Sequence, residues 1–172
     1  MSVYNWLRLL RLVHIYAAIV LVGSIIFNTV VLMPALKRIP PAHAAVIGQK
    51  IGAGLMWLGG TALGLLGVTG FVRLWLLDDL GTLFSIQALL EPRLRWMSVM
   101  AGSWLILAIA ATASAFWFRT VLTAKLPYSA GLRELEEQRA AQERLSRWQD
   151  WLAYINLSLA IIAALGGIMG TF

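Results

Sequence analysis

A chain of 172 residues, 60% hydrophobic and 13% charged, has four long apolar stretches and no room for a soluble domain beside them, so residues 1–172 read as a single transmembrane domain. The absence of cysteine excludes disulfides, thiol nucleophiles, iron–sulfur clusters and thiolate metal sites together. A net charge of +6 does not imply nucleic-acid binding here, because the basic residues flank the apolar stretches, where positive-inside bias and anionic headgroups favour them.

The first apolar stretch runs 13–33, after Arg8 and Arg11, and carries His14 near its start. A basic lead before an apolar run suggests a signal peptide. This run ends Val31-Leu32-Met33-Pro34 without a small-residue exit, so it is expected to stay as a span. Pro34 lacks an amide donor and clashes with the preceding turn, which predicts the end of span one there. A basic connection follows, from Ala35 to Lys50, with Pro40, Pro41 and His43 in it.

The second stretch, 51–77, is rich in glycine. Gly60 and Gly64 stand one helical turn apart, and Gly67 continues the row, a spacing that offers a flat face for close backbone packing. The next connection holds Asp78, Asp79 and Glu91 around Leu83–Leu90, an apolar piece too short to span and expected to be interfacial or re-entrant. The third stretch, 94–118, contains Met97, Met100, Ser103 and Trp104. From Gly131 to Asp150, leucines at a helical period and i,i+4 charge pairs such as Arg133–Glu137 predict an amphipathic helix entering the last span. Its charged face is a solvated surface or a docking surface for a partner. The fourth stretch, 151–172, repeats the glycine device at Gly166 and Gly170.

Each stretch is long enough to cross a hydrocarbon core, which takes roughly 20 residues at 1.5 Å apiece. The fold class is therefore all-α, an integral membrane four-helix bundle. Aromatic residues mark the interfaces at Tyr4, Trp6, Trp75, Trp96, Trp117, Trp148 and Trp151, whereas Trp57 and Trp104 are expected inside the bundle. Phe27–Val31 and Phe118–Leu122 share a pattern that would suit two duplicated hairpins. Of the basic residues, Arg8, Arg11, Arg73, Arg93 and Arg95 fall on the N-terminal side and the other nine on the opposite side. Positive-inside bias then places both termini outside the cytoplasm.

His14 is the leading candidate for chemistry, since an ionisable side chain inside a span is costly and imidazole is a common ligand of metals and haem. The alternative is an interfacial anchor bonded to lipid or a carbonyl. A haem held by two histidines is not expected, because His43 lies in a connection on the other side. Met97, Met100 or Met56 could supply a second ligand, or the haem could be five-coordinate; methionines also serve as packing residues. Asn28 and Asn156 are the large polar groups within spans. They line a polar seam or act as interhelical hydrogen-bonding groups with Thr61, Thr69, Ser103 and Ser158. No span carries a central Asp, Glu or Lys, which disfavours proton pumps and ion-coupled transporters. The positioned acids and bases an enzyme needs are also lacking, with no Ser/His/Asp set, nucleotide loop or metalloprotease motif, so the sequence favours a non-catalytic role.

Leu12-Val13-His14, then Gly23, Phe27 and Pro34, a basic connection and a glycine-rich second span resemble the copper-resistance-protein-D-like family of small bacterial membrane proteins. Arg144, Trp148 and Asn156 extend the resemblance into the second half. It implies a four-span bundle in the bacterial cytoplasmic (inner) membrane and handling of copper or haem b, with His14 as the residue carried over. Leu21 and Val22 stand where the family often has a tryptophan before the first-span glycine. Two functional classes stay open. One is a haem- or copper-associated membrane protein acting through His14. The other is an accessory subunit of a respiratory or photosynthetic redox complex, with no cofactor of its own. Expected partners are the lipid bilayer and either another membrane protein or a second copy of the chain.

Overall fold

The computed structural model describes residues 3–81, 85–86, 90–122 and 132–169. Among them the regular structure is all helical: α1 (Val3–Ile26), a π-helical turn (Phe27–Leu32), α2 (Met33–Leu36), α3 (Pro41–Leu76), α4 (Pro92–Leu122) and α5 (Leu132–Met169). Four stretches are long and apolar enough to cross a membrane: Tyr4–Leu36, Val46–Leu76, Leu94–Phe116 and Asp150–Met169. The chain is a four-helix bundle of the polytopic membrane type. The short apolar piece Leu83–Leu90, and Gly170, lie largely or wholly outside the described residues.

Pro34 does not end the first helix. Within an α-helix its ring would meet the carbonyl four residues back and leave that carbonyl without a donor. The chain instead widens into the π turn just before it, where carbonyls pair five residues on, as Asn28 O does with the Met33 N–H. Pro34 then falls in the first turn of α2, where its missing N–H is not needed. The predicted long connection is also shorter than expected. Pro40 is extended (φ −54°, ψ 140°), Pro41 opens α3, and His43 sits on that helix, exposed.

At its far end α3 closes on a Schellman motif: the Asp79 N–H reaches Leu74 O and the Asp78 N–H reaches Trp75 O. Asp78 takes the left-handed conformation this requires, with φ 58°, where glycine is the usual residue. The amphipathic segment continues into the last span as one helix, α5, of 38 residues.

α1 packs mainly on α3, and α4 on α5. α1 also lies against α5, whereas α3 and α4 meet over a short length. The core is small: Leu21 of α1, Ala62 and Leu63 of α3, Leu107 of α4 and Ala160 of α5. Most remaining apolar side chains point outward, as expected where the surrounding solvent is hydrocarbon. Tyr4, Trp6 and Trp75 are exposed near helix ends, and Trp148 and Trp151 are exposed beside the start of the last span at Asp150. Trp57, expected inside, is 74% exposed and faces outward from α3. Trp104 does pack inward. Its indole lies over Gly67, and its Nε1–H donates to Leu63 O at 2.9 Å.

The glycines divide differently from the expectation. A Cβ on Gly67 would stand 2.4 Å from Trp104 Cζ2, and one on Gly166 would stand 3.1 Å from the Trp96 carbonyl oxygen. Among the described glycines these two make the closest approaches. Gly60 and Gly64 are exposed, with nothing within 4 Å of a Cβ. Helical spacing put all three on one stripe, but of the three the Trp104 indole of α4 covers only Gly67.

Candidate functional site

His14 lies eleven residues into α1, roughly 16 Å along the helix from its first residue and one turn past Arg11. Its imidazole is part-buried and faces α3, with Nδ1 2.7 Å from Thr69 Oγ1. Thr69 is 4% exposed, and its hydroxyl lies 2.6 Å from Leu65 O, one turn back on its own helix. A threonine hydroxyl has one proton, and this short contact commits it to the carbonyl. The arrangement that satisfies both contacts therefore has His14 Nδ1–H donating to Thr69. That leaves the lone pair on Nε2.

Gly70, next to Thr69, lies beside the ring, where a Cβ would stand in ordinary contact at 3.5 Å from His14 Cε1. Arg73 stands one turn further along α3 than Thr69. The pair thus ties α1 to α3 by a side-chain hydrogen bond inside the membrane-spanning region, and it fixes both the ring plane and the tautomer. Histidines that bind metals are oriented by the same device, a hydrogen bond from the second ring nitrogen.

The other sequence candidates do not converge on His14. Met97 and Met100 are on α4, which packs chiefly on α5; Met100 Cβ lies beside Gly166 and its Sδ beside Gly167. Met56 is exposed. Among the described residues no group of three or more His, Cys, Asp or Glu side chains could hold a metal ion. Of the predicted hydrogen-bonding residues, Thr61 and Ser158 return their hydroxyls to carbonyls of their own helices, while Thr69 also reaches another helix. Asn156 turns its amide oxygen inward, and Asn28 lies half-buried in the π turn. Sequence reading did not single out Thr69 from the other hydroxyls. Nothing in its sequence setting distinguished it: the space beside Gly67 is taken by Trp104, and Gly70 is not required for the ring.

Comparison of the chain with protein-family models, curated proteins and solved structures gave no match.

Proposed function

We propose that this polytopic membrane protein is non-catalytic and supplies one nitrogen, His14 Nε2, to a haem b or copper centre that is completed by a donor from another polypeptide. The orientation of His14 carries this reading. Its Nδ1–H is held by Thr69, so the ring presents an unprotonated Nε2 of the kind that binds iron or copper. The described residues alone do not fit a complete centre. Copper needs more donors than one imidazole, and the methionines on α4 pack against α5. A six-coordinate haem would need a second axial ligand from outside. The copper-resistance-protein-D-like resemblance points to the same two groups.

A second reading is favoured by the open face at Gly60 and Gly64. Under it the chain is an accessory subunit beside a larger membrane redox complex, and His14–Thr69 serves only to join α1 to α3. Absorbance and copper content of the chain, solubilised gently with its membrane partners, separate the two. The first reading expects a Soret band or bound copper that is lost in His14→Ala while membrane insertion persists. Cofactor content that is zero in the native chain, or unchanged in His14→Ala, refutes it and leaves the accessory role. In either case we place the chain in a bacterial inner membrane with both termini outside the cytoplasm, on the excess of basic residues on the opposite side.

A further inference from the structure

Two buried side-chain oxygens in the described part of the chain have no hydrogen-bond partner: Thr29 Oγ1 and Asn156 Oδ1. Thr29 is 3% exposed and sits in the π turn of the first span. Asn156 is on α5, which packs against that turn. Lys37 and Asp150 form an ion pair between these antiparallel segments. Thr29 lies eight residues before Lys37 and Asn156 six after Asp150, rises of roughly 12 and 9 Å into the membrane. The two oxygens are therefore at about the same depth on facing elements.

Thr61, Thr69 and Thr112 each return the hydroxyl to the carbonyl four residues back, as threonines do in regular helices. Thr29, in the π turn, makes no such bond. An amide oxygen accepts only, and a hydroxyl both donates and accepts. In hydrocarbon neither can turn to bulk water, so leaving both unmade is costly.

We propose that Thr29 Oγ1 and Asn156 Oδ1 bind one buried water molecule between the π turn and α5. The guest must be small, because both oxygens are sealed from the surface. It must donate a proton to Asn156. It must also be neutral, since no Asp or Glu occurs in residues 3–36 or 151–172 to balance a cation. Water meets all three conditions and needs as few as two polar partners. The bridge joins the first and last spans and holds the π turn open, which in turn lets the helix pass Pro34. This inference does not depend on the role of His14.

Water-edited solid-state NMR of the full chain in lipid, with asparagine labelled, tests it directly. Polarisation transfer from water to the Asn156 side chain is expected, kept in Thr29→Ser and lost in Thr29→Val; a dry Asn156 in the native chain overturns the proposal. Thermal midpoints of Thr29→Val, Asn156→Leu and the double variant give a second readout. Each single change should lower the midpoint, and the double should lie no lower than the worse single, because it leaves no orphan oxygen behind. Strictly additive losses overturn the shared guest. Replacing sodium and potassium by choline at constant ionic strength should leave the native midpoint unmoved. A cation-dependent shift that Thr29→Val abolishes would show that the occupant is an ion.

Discussion

Gly67 is the position where a single added methyl group should do the most damage. Carbon atoms rest about 3.5–4.0 Å apart, so a Cβ placed 2.4 Å from Trp104 Cζ2 is too close by about 1 Å. The indole cannot swing clear at little cost. It is a rigid ring packed against the core, and its Nε1–H is bonded to Leu63 O at 2.9 Å. Overpacking of this kind costs about 1–3 kcal/mol, and loss of the indole hydrogen bond adds about 1 kcal/mol. Alanine's better helix propensity offsets about 1 kcal/mol. The net expectation for Gly67→Ala is a loss of about 1–3 kcal/mol, a midpoint lower by roughly 2–12 °C at 2–4 °C per kcal/mol. Gly64→Ala is the matched control one turn away. Nothing lies within 4 Å of its Cβ, so only the propensity gain remains and stability should hold or rise. Thermal unfolding in one detergent, followed by tryptophan emission, reads both. Gly67→Ala as stable as Gly64→Ala, with unshifted emission, would refute the assignment of Gly67 as the α3–α4 contact.

Thr69→Val should remove the acceptor of the His14 Nδ1–H and lower stability by about 0.5–1.5 kcal/mol, whereas Thr61→Val, which loses only a bond within its own helix, should change it less; equal effects would argue against the His14 contact. Asp78→Gly should raise stability by about 1 kcal/mol, because it relieves a left-handed residue at an exposed helix end, and a measured loss would show that the aspartate side chain has a role there. Gly64→Leu should leave the fold of the chain intact and weaken copurification of any partner seated on that face; unchanged copurification would assign the face to lipid. A reporter active only in the cytoplasm should work when inserted near Gly131 and fail when fused after Phe172, and the opposite pattern would invert the orientation.

The four spans were legible in the sequence because hydrocarbon admits few alternatives. A stretch of about 20 apolar residues must satisfy its own backbone, and a helix is the way to do so within one segment. The same logic made the continuation of the charged segment into the last span readable from its periodicity. The fate of Pro34 was not readable. Local chemistry predicts a break, but a helix in the membrane cannot leave its carbonyls unpaired, and the π turn re-pairs them while the chain continues to Leu36.

The candidate site divides in the same way. Sequence alone identified His14 as the unusual group, since an imidazole in an apolar run is costly wherever it points. Which nitrogen it presents depended on Thr69, fifty-five residues away, and on the carbonyl that holds the threonine's proton. The glycine stripe shows the limit of spacing arguments. Gly60, Gly64 and Gly67 follow one another at helical intervals, yet only the crossing of α4 over α3 decides which of them meets an indole. Trp57 and Trp104 are alike in sequence setting, and one faces outward while the other is hydrogen-bonded inside. Composition fixes the solvent and so the secondary structure, because the cost of an unpaired backbone group is local. The face a side chain presents is set by helix rotation and crossing, which depend on contacts between segments distant in the chain.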